Sequence, residues 1–368
     1  MRKIIATQYK RSIFYMEIIA LILLIGLAYN FIPSKKGTQT FYIPASDINT
    51  AIKTLEENGY EMTVIDRWVL ALKKIPDEGW YTTTPNRYGR IAFFYTLYKQ
   101  KTDATMDVVV FAGETKEELS TRLANDMKLD KQKLLEAYNS LALFEEADIL
   151  AQRYTLARKA NEITTMRYIL MMSQRTLDSF KQEHVKKPFS ISELKIIFII
   201  ASIIQKESNA LEEMPLISSV IYNRLEKKMR LQMDSTLNYG VFSHTIVTPE
   251  RIKNDTSSYN TYKYKGLPPH PLGTFTLDAL KASINPAKSD YLYFMLNEKG
   301  KHDFSADYTE HIAHIKTFRA YQNEKKMKEE KALADKVLEE DTNETVKYFA
   351  PNPLGDLSVE IDWNKVKL

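Results

Sequence analysis

IIFIIASIIQKESNALEEMP, Ile196 to Pro215, is the stretch on which the reading of this chain turns. It begins almost without polar residues and finishes in a cluster of carboxylates. At helical spacing Ile196, Ile200, Ile203 and Ile204 fall on the same side as Glu207, one to three turns beneath it. The pattern predicts a helix sunk in a core, with an acid standing on its oily stripe. Burial disfavours the ionised form of such a carboxyl, so its pKa is expected to rise towards the range of a general acid. A core helix whose last turn merely reaches water has the same pattern, and this stretch alone does not separate the two.

Around that helix the punctuation is dense. Ser190 and Ser192 can cap its start, with Glu193 in the first turn. Pro215 suits the first turn of a following helix that carries Leu216, Val220 and Leu225 inward, with Asn223 and Arg224 near its end. MRLQMDSTLNYG then predicts a short extended piece, a cap at Asp234 and a turn at Gly240. The loop GLPPHPLG, Gly266 to Gly273, cannot be regular structure, because its prolines lack donors and fix the backbone, and a loop so stiff can form a groove wall. Thr276 opens another helix that Pro286 ends. YLYFML reads as a buried strand, joined through a Lys299–Gly300 turn to HDFS. Past Asp307 a helix is expected through Phe318 into NEKKMKEEKALADKVLEE, which is charged enough to be a solvated face. The tail from Asp341 to Leu368 shows no strong pattern.

Towards the N-terminus the signals are smaller. FYIP reads as a strand, followed by cap candidates Ser46 and Asp47 and by Ile48, Ala51, Ile52 and Leu55 at helical spacing, closed by Gly59. EMTVI reads as a second strand and the region from Trp68 to Lys74 as a second helix. Such a unit suits a small binding module or a plain spacer. Beyond it come GWYTTTP, a helix through Ile91 to Leu97, a strand MDVVVF, and a helix opening at Thr115 with Glu117 and Glu118 where negative charge favours the dipole. Leu143 to Gln182 is rich in helix formers and is expected to link the two halves, with a boundary at Lys186 to Phe189.

The first residues place the rest. Arg2, Lys3, Lys10 and Arg11 precede Ser12 to Ile32, a mainly apolar segment of the length needed to span a bilayer, about 20 residues. The basic side is expected to stay in the cytoplasm, with everything after Pro33 outside. No small-residue cleavage site follows, so an uncleaved anchor is expected rather than a signal peptide.

Composition removes whole classes of chemistry. At 368 residues the chain is long enough for two domains, and 27% charged with 44% hydrophobic residues is a globular balance. A net charge of +4, dispersed along the chain, gives no reason to expect nucleic acid. With no cysteine, thiolate nucleophiles, thiolate metal sites and disulfides are excluded. His311 and His314, with His302 and Asp303 upstream, could be metal ligands, yet no HExxH signature accompanies them and no metal or other cofactor is expected. No GxSxG, P-loop or dinucleotide fingerprint is present. Acid–base chemistry by carboxylates remains, with Glu207 accompanied by Glu212, Glu213 and Asp234. Tyr239, Tyr259, Tyr262 and Tyr264 offer aromatic faces for a sugar groove or simply core packing.

Taken in order, ASIIQKES, Glu213, YNRLEKKMRLQMDST with LNYG, YNTY, GLPP, INPAKSDYLYF, HDFS and His311 resemble the MltG (YceG-like) endolytic murein transglycosylases. The resemblance implies a bacterial α+β envelope enzyme that cuts peptidoglycan glycan strands internally near the membrane. It implies a catalytic glutamate at Glu207, on a buried helix, serving first as acid and then as base without a second, nucleophilic carboxylate. It further implies groove-forming or orienting roles for Glu213, Asn223, Arg224, Gln232, Asp234, Tyr239, Asn260, Tyr262, Gly266, Pro268 and Asn285, each of which could instead be structural. Peptidoglycan synthases become candidate partners. Three departures stand out: Met214 where the family commonly has Arg, Ser235 in place of a common proline, and His270 in place of a glycine.

The expected organisation is therefore a cytoplasmic tail 1–11, a transmembrane helix 12–32, a linker 33–40, a LysM-like and connecting region 41–185, a catalytic domain 186–320 and a charged extension 321–368. A non-catalytic peptidoglycan-binding scaffold and a hydrolytic muramidase are the competing expectations.

Overall fold

Side-chain caps fix where most helices of this protein begin. A computed structural model describes residues 2–32, 39–72, 74–84 and 89–348, so most of the expected linker and the end of the tail lie outside the described residues. Contacts divide the chain into two units, Met1–Asp290 and Tyr291–Leu368.

The first unit opens with α1, Arg2–Asn30, which includes an apolar stretch, Gln8–Asn30, long enough to cross a membrane and almost wholly exposed. Strand β1 (Gln39–Ile43) pairs antiparallel with β2 (Gly79–Thr83), Phe41 opposite Tyr81. Between them lie α2 (Ile48–Glu57), capped by Asp47, and α3 (Val64–Ala71). The strand expected over EMTVI is absent. Thr63 and Asp66 form a reciprocal capping box, and Asp66 is fully buried against Arg90, so the segment turns helical at Val64 and leaves Val64 and Trp68 facing outward. Arg90 begins α4 (Arg90–Thr96). Phe41, Leu55, Tyr81, Phe93 and Leu97 fill this core.

A second core follows in the same unit. Strands β3 (Thr105–Val109) and β4 (Arg153–Ala157) pair antiparallel, with α5 (Lys116–Met127), α6 (Lys131–Leu141) and α7 (Glu162–His184) packed with them. The helical linker expected over 143–182 is therefore interrupted by β4, where Tyr154 and Leu156 point inward and Thr155 outward. Trp80 joins the two cores: its ring contacts Tyr42 and Tyr168, and its indole N–H donates to Thr155 O at 2.9 Å. The unit closes with α8 (Ile191–Glu207), α9 (Met214–Glu226), α10 (Pro249–Asn254) and α11 (Leu277–Ile284). In α9 the inward positions are Ile217, Val220 and Ile221, while Leu216 and Leu225 are only half-buried.

The second unit is a hairpin of β5 (Tyr293–Leu296) and β6 (His302–Ser305) with α12 (Tyr308–Tyr348), whose His311 ring stacks on Tyr293. Strand β5 is half-buried, not buried as its apolar run suggested, because a two-stranded hairpin has no further layer to cover its other face. Along α12 exposed pairs such as Glu324–Lys328 give the expected solvated surface.

Candidate active site

The site is assembled at the C-terminal end of α8. Ser190 and Glu193 form a capping box at the start of that helix, and Ile197 to Gln205 are buried along it. Ile200, Ile203 and Ile204 lie in the core as expected. Ile196 is about half exposed, so the stripe beneath Glu207 begins one turn later than the sequence indicated. Glu207 is the last residue of the helix and is half-buried.

Two side chains of α8 fix its end to a distant segment. Ser202 Oγ accepts the Leu272 N–H at 3.0 Å, and Gln205 Oε1 accepts the N–H and hydroxyl of Thr276, the cap of α11, at 3.0 and 2.8 Å. That segment in turn runs beside residues 111–114. Gly113 N–H donates to Thr274 O at 2.8 Å, Thr274 N–H to Glu114 O at 2.9 Å, and the Thr274 hydroxyl to Phe111 O at 2.6 Å. Gly273, at φ +156°, makes the approach possible: a Cβ there would lie 2.9 Å from the carbonyl oxygens of both Gly113 and Glu114.

Between these elements is a cavity of about 340 Å³ whose lining includes Gly113, Lys206, Glu207, Asp234, Ser235 and His244. Ser235 N–H donates to Glu207 Oε1 at 3.4 Å, a long contact. Asp234 and Ser235 belong to a short 3₁₀ turn, Asp234–Leu237, pinned from behind by a hydroxyl pair between Thr236 and Thr261 at 2.9 Å. The Tyr262 hydroxyl donates to Asp234 Oδ1 at 2.6 Å. Burial first, and the Asp234 carboxylate second, push the Tyr262 phenol well above its ordinary pKa, which keeps it a donor.

Of the residues singled out in the sequence, the cavity lining contains Glu207, Asp234 and Ser235. The others stand elsewhere. Glu213 is buried and accepts the Ser208 hydroxyl at 3.0 Å, just past the end of α8, while Glu212 is exposed. Arg224 is buried and donates to the carbonyls of Arg230 and Leu231; Asn223 donates to Ser289 O at 2.9 Å. Asn260 is fully buried, donating to Ile252 O and Asp255 O and accepting the Tyr262 N–H. Gln232 is exposed with a left-handed backbone, φ +52°. Tyr239 stacks on Tyr259 with ring centres 3.9 Å apart. Pro268 is buried beside Gly266, which has φ +91°, and Asn285 is exposed at the C-terminal cap of α11.

Sequence reasoning passed over Gly113, Gln205, Lys206, Asn209 and His244. Gln205 and Asn209 carried a signal, since their helical spacing matches the 2.9 Å amide contact they make. Gly113 and His244 come from remote segments and carried none. Among the described residues no set of three or more His, Asp or Glu is grouped to hold a metal ion, and His302, Asp303, His311 and His314 form no such set.

The YceG-like family profile matches residues 41–317. The chain belongs to the YceG-like family. Relatives of this YceG-like chain include an endolytic murein transglycosylase of Bacillus subtilis, 34% identical over 149 residues, which is 40% of this chain and 41% of that protein. A Streptococcus pneumoniae protein of the same name is 33% identical over 153 residues, 40% of this chain and 27% of that one. The chain thus spans well under half the length of the curated relatives it matches. A crystal structure of a YceG-like protein from Listeria monocytogenes is similar at 26% identity and a TM-score of 0.47, covering 76% of this chain and 99% of the other.

Proposed function

We propose that this protein is an endolytic peptidoglycan lytic transglycosylase, held at the membrane by α1 with its remaining domains on the outer side. The observation that carries the reading is the placement of Glu207: a half-buried carboxyl in a polar cavity, at the very end of a core helix, in a chain of this family. A negative charge there faces the partial negative end of the α8 dipole, an unfavourable term of roughly 0.3–1 kcal/mol that suits a group which must begin as an acid.

The chemistry needs one such group. Glu207 gives its proton to the glycosidic oxygen between N-acetylmuramic acid and N-acetylglucosamine, and the C1–O bond breaks as positive charge develops at C1. The carboxylate then takes the proton of the muramyl C6 hydroxyl while that oxygen bonds to C1. The products are a 1,6-anhydromuramyl end and a new free 4-hydroxyl, and Glu207 is again protonated. Asp234, with its Tyr262 donor, and the stacked Tyr239 and Tyr259 are suited to orient the sugars. Glu213, Asn223, Arg224, Asn260, Pro268 and Asn285 act by shaping the walls, with Gln232 and Gly266 at turns. The β1–α4 region is read as the LysM-like module, and strand-making synthases as partners.

The test is to digest uncross-linked glycan strands with the full-length protein in detergent and to identify the new ends by mass spectrometry. Anhydro ends that fall by about a thousandfold or more in Glu207→Gln support the reading. Reducing ends point to a hydrolytic muramidase. Binding without cleavage by well-folded protein points to a scaffold.

A further inference from the structure

Next to the acid, the cavity holds a cation that makes no direct ion pair among the described residues. Lys206 occupies the last turn of α8, and its stem passes Gly113, where an added Cβ would sit 3.7 Å from Lys206 Cγ. Its ammonium donates to Ser243 Oγ at 3.2 Å and makes no ion pair among the described residues. Burial pushes its pKa below the usual lysine value, with Glu118 and Glu146 acting in the opposite sense. Glu118 is already engaged: it accepts Thr115 N–H at 2.8 Å in the α5 capping box and Ser243 Oγ at 3.4 Å, and His244 Nε2 lies 3.4 Å away. An ammonium has three donors, and only one is satisfied here, in a place where its hydration is restricted.

We propose that Lys206 is the anion-recognition group of the cavity, binding a carboxylate on the muramyl substituent of the glycan strand. This rests on the transglycosylase reading above. The sugars of such a strand are themselves uncharged. Along the interior of an otherwise unsubstituted strand, fixed negative charge comes from carboxylates on the lactyl–peptide substituents. A single positive point in a cavity that also holds the acid selects which sugar is brought over Glu207, and it does so through charge.

Binding is measured by calorimetry with the full-length Glu207→Gln protein in detergent, using uncross-linked strands in three forms. These are native peptide-bearing strands, the same strands N-acetylated and converted to methylamides at every carboxylate, and strands stripped by an amidase so that only the lactyl carboxylate remains. N-acetylated strands with free carboxylates serve as control. Native and control strands bind about tenfold or more tightly than methylamides, and added salt narrows the gap. Adding Lys206→Met removes the gap, and Lys206→Arg retains it. Tight binding of the stripped strands shows that a carboxylate at the lactyl position also satisfies the site, and weak binding shows that the site reads a carboxylate further along the peptide. Equal affinity of Glu207→Gln for native and methylamidated strands overturns the proposal without recourse to any Lys206 variant. Equal loss on all strands in folded Lys206→Met also overturns it. If the wild type makes no anhydro ends yet the Lys206-dependent gap persists, the transglycosylase reading fails and the anion site stands; anhydro ends without a gap give the reverse.

Discussion

Arg90 and Lys206 are both withdrawn from bulk water, and the protein treats them in opposite ways. Arg90 is 1% exposed and forks onto Asp66 through Nε at 2.8 Å and Nη2 at 2.7 Å. Asp66 also receives the Thr63 N–H at 2.6 Å. Burial alone works against ionisation of Asp66, yet the hydrogen bonds from Arg90 and its neighbours hold its carboxyl below the ordinary range. Lys206 has a hydroxyl and an open cavity. A cation with its partner built in specifies architecture, and one whose partner is left out specifies a ligand.

Asp148 shows a third treatment, in which a hydrogen-bonded carboxyl is pushed towards neutrality by burial. Burial raises its pKa to about 6, against backbone hydrogen bonds from Phe144 and Leu143.

The contrast breaks first at Arg90. Arg90→Met should cost about 3–5 kcal/mol in denaturant unfolding, because the Asp66 charge is left buried and uncompensated. Lys206→Met should cost little, or stabilise slightly, since the carboxylates that act on it, Glu118 and Glu146, keep backbone hydrogen bonds from Thr115 and Lys116. A comparable loss at both positions would erase the distinction. At Asp148 the sign is fixed by the raised folded pKa: the folded state holds a proton that the unfolded chain has released. The contribution is full below about pH 4 and is lost as pH rises through about 6, an effect on the order of 2–3 kcal/mol. Thermal melts of Asp148→Asn should lack this component between pH 4 and 7, while the wild type keeps it. The smallest effect is expected from Ser235→Pro, which deletes the N–H that reaches Glu207. Anhydro-end formation should fall by less than about tenfold, in keeping with one long hydrogen bond. A loss equal to that of Glu207→Gln would make Ser235 indispensable.

Much of this was legible in sequence because it is local. The caps at Asp47, Thr115, Ser190 and Thr276 were read from short spacings and stand where they were expected. The helix carrying Glu207 announced itself by its isoleucines. Errors arose where distant partners decided the outcome. Where a strand was expected over EMTVI, Thr63 and Asp66 close a capping box and Asp66 is held by Arg90, more than twenty residues on, so the segment is α3. Strand β4 exists because β3, far back in the chain, pairs with it, Asp107 opposite Thr155. The cavity wall supplied by Gly113 follows from a backbone pairing with Thr274 that no periodicity encodes.

That pairing has a temporal meaning. Residues 111–114 are synthesised long before 272–276, and the glycine that lets them meet is Gly273. Contacts of such sequence separation cannot form until both segments have emerged, and closing them costs chain entropy that grows slowly with the loop. While the chain is still emerging it has its apolar α1 and Glu207, but not the wall against which the end of α8 is fixed. On the proposed reading, a half-made molecule does not yet hold its acid in place; the end of α8 gains its wall only once residues 272–276 have emerged.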